Sequence, residues 1–289
     1  MNCEDRYLEL VKKSLLNELY IELEAQLIFA VLCAAHGHQL DLEGFRRARH
    51  DGDLLNAIAT AKAGGDTITL QGLDEHKNVV PQEQLRNYIE YAHTLIGRKR
   101  LDHLQKCVET VLDEDIPGDL VETGVWRGGS CILMKAVLAV RGVTDRKVWA
   151  VDSFEGLPPP TLHQDAGLDM TKEQFPFLAV SKKKVQELFN RYQLLDDQIV
   201  FVEGWFRDTV PKMPVDEIAV LRLDGDLYES TMDALSGLYS KVSSGGFVVI
   251  DDYHVLPPCE QAVEDFRREA GVTVPLQEID NHAVFWRKP

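Results

Sequence analysis

The sequence predicts an α/β fold: a doubly wound, mostly parallel sheet with a C-terminal antiparallel hairpin, preceded by a helical N-terminal cap. Three observations predict it. After Gly118, short apolar runs alternate with helical segments, the pattern of parallel strands covered on both faces. The last two strand candidates are separated only by Gln277 to His282, too few residues for a crossover, so that pair should be antiparallel. The first 115 residues carry helical periodicity and breakers with little sign of a sheet, which divides the chain into a cap over residues 1–115 and a sheet domain over 116–289.

The elements follow in order. Residues 4–36 read as helical, with Tyr7, Leu8, Val11, Leu15, Leu16, Leu19, Leu23 and Leu27 at three- and four-residue spacing. The stretch around Gly64, Gly65 and Gly72 reads as a variable loop, and Gln82 to Val111 as a second helical stretch that ends before Pro117-Gly118. Strands are expected at Asp119–Glu122, Val148–Asp152, Ile199–Glu203, Ile218–Asp224, Phe247–Asp251, Thr273–Pro275 and Ala283–Trp286. Helices are expected between them at Ser130–Val140, Lys182–Tyr192, Ser230–Tyr239 and Pro258–Ala270.

Composition limits the function. The 289 residues hold 31 basic and 47 acidic side chains, a formal charge of −16, which argues against nucleic acid or an anionic membrane as partner. Most of the surplus lies in residues 111–289, with 30 acidic against 18 basic side chains. No apolar run approaches the roughly 20 residues that span a bilayer. The run Leu27 to Ala35 follows Glu18, Glu22 and Glu24, so a signal peptide is not expected. Five widely spaced cysteines without a Cys-x-x-Cys pair indicate neither a disulfide framework nor a zinc ribbon. A cytoplasmic protein with reduced thiols is expected, and the apolar stripe from Leu8 to Val31 suggests either cap core or the interface of a homo-oligomer.

In a doubly wound sheet, ligands bind beyond the carboxyl ends of the strands, near the switch point. The first strand ends in Glu122-Thr123-Gly124-Val125-Trp126-Arg127-Gly128-Gly129-Ser130. Its glycines admit a tight turn and a closely approaching ligand, and Ser130 is placed to cap the next helix; an ordinary strand–helix turn has the same composition. There is no Gly-x-Gly-x-x-Gly and no Gly-Lys-Ser/Thr, and Glu122 would repel a phosphate but suit a cationic group. The second strand delivers Asp152 and Ser153, and a carboxylate there can accept hydrogen bonds from both hydroxyls of a ribose. The third delivers Gly204 and Trp205, where Trp205 either flanks a purine or closes the edge of the sheet. Together these ends point to an adenosine-containing ligand without phosphates.

The fourth and fifth strands end in Asp224-Gly225-Asp226 and Asp251-Asp252-Tyr253-His254. If the strands are neighbours, Asp224, Asp251 and Asp252 converge. Carboxylates at such range repel each other unless a cation is present, and a hard divalent ion, Mg²⁺, is the expected occupant.

Glu122 to Ser130, Val151-Asp152-Ser153-Phe154-Glu155-Gly156-Leu157-Pro158, Leu223 to Thr231 and Asp251-Asp252-Tyr253 resemble the motifs of the macrocin O-methyltransferase family. So do Tyr7 through Tyr20, Thr94-Leu95-Ile96-Gly97 and Arg100-Leu101-Asp102, and the resemblance covers most of the chain. It implies a Rossmann-like class I methyltransferase sheet and a SAM- and metal-dependent enzyme that methylates a hydroxyl of a glycosylated natural product, as in antibiotic biosynthesis. It implies that Glu122, Thr123, Gly124, Ser130, Asp152, Ser153, Gly204 and Trp205 hold S-adenosylmethionine, and that Asp224, Asp251 and Asp252 hold the metal. Asp224 is the first choice of general base and His254 the second. The segment 37–92, which in such enzymes helps cover the acceptor, departs from the family pattern. Two rival readings share the metal: a methyltransferase of catechols or phenols, and a metal-dependent hydrolase, which leaves the Gly124 turn and Asp152 without a role. A third is a catalytically silent SAM-binding module.

Overall fold

Asn2 starts the first helix, α1 (Cys3–Leu15), with a reciprocal cap: its side chain accepts from the amide of Asp5 at 2.7 Å, and the Asp5 carboxylate accepts from the amide of Asn2. Leu8, Val11 and Leu15 form its buried stripe. The single helix expected over 4–36 is two helices. The chain breaks at Asn17, which adopts φ 55°, and resumes as α2 (Ile21–Ala35). The break is built in: buried Lys62 donates to the carbonyl of Leu16 at 2.6 Å and pairs with buried Glu24, which also accepts from Nδ2 of the Asn17 side chain. The Lys62 bond satisfies a backbone carbonyl that a continuous helix would have used internally. Next come α3 (Leu42–Ala48), capped by Asp41, and α4 (Gly52–Gly64); Ala25, Ile28 and Ile58 form a small core.

The computed structural model describes residues 2–35, 37–64, 67–73, 79–86 and 91–289, in two compact units, Met1–Lys99 and Arg100–Pro289. Gly65, at the expected loop, and residues 87–90, inside the expected second helix, lie outside them. Where a loop and a helix were expected, the described residues form an antiparallel pair, β1 (Thr67–Leu73) and β2 (Val79–Arg86). The register slips between Leu70 and Gln71, opposite Pro81, which has no amide hydrogen to give the ladder. Helical periodicity returns only at α5 (Arg98–Asp113). The division at Lys99 falls earlier than the expected boundary at residue 115. The reason is that α5 buries Leu101, Leu104, Val108 and Val111, while His103 stacks on Phe285 at 4.2 Å within the second unit.

The second unit is a seven-stranded sheet. Its strands are β3 (Asp119–Thr123), β4 (Val148–Asp152), β5 (Ile199–Glu203), β6 (Ile218–Leu223), β7 (Val242–Ile250), β8 (Gln277–Glu278) and β9 (Val284–Arg287), in the order β5-β4-β3-β6-β7-β9-β8. The first five are parallel, while β9 runs antiparallel to β7, and β8 to β9. All six residues of β6 are buried, as a strand covered on both faces requires. The connecting helices are α6 (Gly129–Val140), α7 (Lys182–Arg191), α8 (Phe206–Thr209), α9 (Tyr228–Leu238) and α10 (Pro257–Glu269). Thr273–Pro275 is not a strand. The carbonyl of Val274 is taken by Arg267 at 2.5 Å and Pro275 has no amide hydrogen, so pairing begins only at Gln277. Strand order reverses between β3 and β6, which places the switch point at Thr123 and Leu223. Among the described residues no helix is long and apolar enough to cross a membrane.

Candidate active site

At the switch point the backbone itself is crowded. Gly124 has φ 85°, and a Cβ there would lie 1.7 Å from the carbonyl oxygen of Asp224, so only glycine fits. Thr123, fully buried beside it, keeps its Oγ1 without a hydrogen-bond partner among the described residues. Three non-glycine residues take positive φ on the loops after β3, β4 and β6: Trp126 at 46°, Phe154 at 57° and Asp226 at 59°. Such conformations persist where surrounding contacts enforce them, and they gather at functional sites.

Glu122 is 1% exposed and already matched inside the protein. Its Oε1 accepts from Arg222 Nη1 at 2.5 Å and its Oε2 from Cys131 Sγ at 2.8 Å. Burial raises its pKa and Arg222 opposes that. The cation facing Glu122 is therefore the protein's own guanidinium. Ser130 is not the cap of α6; that position is Gly128, and Ser130 sits in the first turn, hydrogen-bonded to Glu122.

Asp152 ties the loops together. Its Oδ2 accepts from the amide of Val125 at 2.7 Å, with that of Trp126 at 3.4 Å, and its Oδ1 from the amide of Phe154 at 2.7 Å. Burial raises its pKa and these backbone bonds lower it. The hydroxyl of Ser153 donates to the carbonyl of Gly156 at 2.6 Å and accepts from the amide of Glu155, closing the next turn. After β5, Gly204 at φ 135° and Trp205 lead into α8, beside a cleft of about 390 Å³ lined also by Glu203, Thr209 and Met213.

The carboxylates converge, with one exchange against expectation. Oxygens of Asp224, Asp226 and Asp252 lie within 4.8 Å of one another, while Asp251 stands outside that group. Both oxygens of Asp251 are taken at 2.5 Å, by Arg100 Nη1 and Arg222 Nη2. Burial alone would raise its pKa, but the two guanidinium groups hold it below the usual carboxylate range. Burial raises Asp224 and Asp252, and their acidic neighbours add to the effect; Asp252 is pushed well above its ordinary value. Its Oδ2 is buried with no partner among the described residues. His254 does not join them: its Nε2 lies 2.7 Å from Glu278 Oε2 on β8.

The sequence reading gives Arg222 no role, and names Arg100 only within the motif Arg100-Leu101-Asp102. Arg222, 1% exposed, bonds Glu122, Asp224 and Asp251, at the ends of three adjacent strands. Its signal was the lone charge inside Ile218-Ala219-Val220-Leu221-Arg222-Leu223, since a buried cation requires carboxylate partners. Asp226 was legible as the second acid of Asp224-Gly225-Asp226.

The family model of Macrocin-O-methyltransferase (TylF) matches residues 4–288. The chain is 53% identical over 205 residues to the 8-demethyl-8-(2,3-dimethoxy-alpha-L-rhamnosyl)-tetracenomycin-C 4'-O-methyltransferase of Streptomyces olivaceus, covering 70% of this chain and 78% of that one. It is 45% identical over 243 residues to the mycinamicin III 3''-O-methyltransferase of Micromonospora griseorubida, covering 82% and 95%. The solved structure of the O-methyltransferase NovP superposes with a TM-score of 0.75 at 37% identity, covering 99% of both chains. With its switch-point loops and strand-end carboxylates set on this sheet, the chain belongs to the macrocin O-methyltransferase family and is an O-methyltransferase.

Proposed function

We propose that this enzyme transfers the methyl group of S-adenosylmethionine to a hydroxyl of a glycosylated natural product, assisted by Mg²⁺ held by Asp224, Asp226 and Asp252. The observation that carries the reading is the carboxylate trio within 4.8 Å, with Asp252 Oδ2 buried and unpartnered. Three acids so placed, one with an orphaned oxygen, fit a hard divalent cation with oxygen ligands. The same test disfavours Asp251, whose oxygens are committed to arginines. For the nucleoside, supporting features are the Gly124 turn, the orphaned hydroxyl of Thr123, the carboxylate of Asp152 and the cleft beside Gly204 and Trp205. None of these provides a phosphate cradle, in keeping with a phosphate-free ligand. The sugar acceptor is supported by the relative named for a rhamnosyl tetracenomycin.

When bound, the cation would lower the pKa of the acceptor hydroxyl and orient its oxygen. Asp224, whose Oδ2 is engaged by Arg222 at 2.9 Å, is the residue that takes the hydroxyl proton in this reading. Burial and the Asp251 carboxylate raise the pKa of Asp224, which makes it a stronger base than a solvated aspartate, and Arg222 opposes that rise. Holding both reactants in line supplies the larger share of the rate.

Thermal shift titration with S-adenosylhomocysteine, with and without Mg²⁺, tests this reading. Both ligands are expected to raise Tm; no response to the nucleoside overturns the SAM assignment, and no response to Mg²⁺ overturns the metal. An acceptor panel of rhamnosides and catechols then tests the acceptor class, and turnover confined to catechols overturns the sugar assignment.

A further inference from the structure

Asp165 is completely buried at the end of a short 3₁₀ turn, His163–Asp165, in the long connection between β4 and α7. Its Oδ1 accepts from the amide of Tyr228 at 2.7 Å and its Oδ2 from the amide of Glu229 at 3.1 Å. These are the first two residues of α9, whose own N-cap residue, Leu227, offers no side-chain acceptor. A helix start leaves amide hydrogens unmatched, and here the missing cap comes from 63 residues away in sequence. Thr161 Oγ1 makes a second tie from the same connection, to the carboxylate of Glu229.

What α9 follows gives this clamp its meaning. The loop before it is Asp224-Gly225-Asp226-Leu227, which carries two of the three converging carboxylates. Its start is fixed to the sheet by the amide of Asp224, which donates to the carbonyl of Thr123 at 2.8 Å. Its middle is compressed: the amide of Leu227 donates to the carbonyl of Gly225 at 2.6 Å, with Asp226 at φ 59°. A left-handed non-glycine residue persists where the surrounding structure over-determines it. Thr123 holds one end, and Asp165 the other.

We propose that Asp165 is a positioning residue for the cation site: by clamping the first turn of α9 it keeps the 224–227 loop in the compressed form that brings Asp226 to Asp224 and Asp252. This inference rests on the reading of that trio as a divalent-cation site. Mn²⁺ binding followed by electron paramagnetic resonance, with S-adenosylhomocysteine binding measured by calorimetry in parallel, tests it on the full-length chain. D165A is expected to weaken Mn²⁺ binding at least tenfold and to leave nucleoside affinity within twofold. D165N, which keeps one acceptor oxygen, is expected to lose at least threefold and less than D165A. S181A removes an ordinary helix cap, the bond from the amide of Lys184 to Ser181 Oγ, and is expected to bind Mn²⁺ as wild type does. That control separates positioning from general loss of stability.

Mn²⁺ affinity within twofold of wild type in D165A overturns the proposal. If D165A does not fold, wild-type affinity in D165N overturns it equally. Wild-type protein that binds no Mn²⁺ overturns the cation reading together with this inference, whereas tight and equal binding in all variants overturns this inference alone.

Discussion

Replacing Asp252 with asparagine should make the enzyme more stable and less capable. In the absence of a cation, Asp252 shares a cluster with Asp224 and Asp226 in which the carboxylate oxygens lie within 4.8 Å. At that distance and an effective dielectric of 20, each fully ionised pair repels by about 3.5 kcal/mol. The full relief is not realised, because Asp252 already escapes part of the repulsion by holding its proton, its pKa being pushed well up by burial and by Asp226, Asp224 and Asp251. A gain of about 1–2 kcal/mol at pH 8 in chelator is therefore expected, which corresponds to roughly 2–3 °C in Tm for a chain of this size. Mg²⁺ should act in the opposite sense. Wild type at a hundred times Kd gains about 2.7 kcal/mol from the cation, and D252N should gain almost none. Differential scanning fluorimetry in chelator and in Mg²⁺ reads both effects on one plate. A D252N protein less stable than wild type in chelator would contradict repulsion within the trio, and one that Mg²⁺ stabilises equally would contradict Asp252 as a cation ligand.

Other perturbations have definite signs. His103, half-buried against Phe285, has its pKa lowered to about 4 by loss of solvent, with Lys106 adding to the effect. Its neutral form is the one that folds, so this stability is complete above the unfolded value near 6.5 and is lost as pH falls toward 4; at about 1.4 kcal/mol per pH unit the loss reaches about 3 kcal/mol. H103F should flatten urea midpoints across that window, and an unchanged slope would contradict it. G124A forces a Cβ to 1.7 Å from the carbonyl oxygen of Asp224 at a positive φ, and should cost about 3 kcal/mol or more along with nucleoside binding. Near-wild-type stability would disprove the close approach. R222M leaves Glu122, Asp224 and Asp251 short of a buried counterion and should cost about 3–5 kcal/mol by urea denaturation; a neutral result would mean those acids are protonated or solvated.

The sheet was legible because its signals are local. Apolar runs such as Val148–Asp152 and Ile199–Glu203 coincide with β4 and β5, residue for residue. The helical spacing over 4–36 misled because the break depends on Lys62, which reaches the carbonyl of Leu16 from 46 residues away. The β1–β2 pair was equally hidden, since strand pairing rather than periodicity defines it. Strand-end position sufficed to bring Asp224 and Asp252 together, but the surroundings of Asp251 depend on two arginines, one from β6 and one from α5. Adjacent acids in sequence, Asp251 and Asp252, meet opposite fates because one faces guanidinium groups and the other faces carboxylates. That distinction is a matter of tertiary placement, which no local pattern encodes.

The most direct test of the account is methyl transfer from radiolabelled S-adenosylmethionine to the best glycosylated acceptor of a panel, measured before chelation, after chelation and after Mg²⁺ is restored. Transfer is expected to fall at least a hundredfold in chelator and to return with Mg²⁺ in wild type, but not to return in D252N. Turnover that survives chelation, or that D252N sustains at the wild-type rate, would contradict the assignment of Asp224, Asp226 and Asp252 as the cation site.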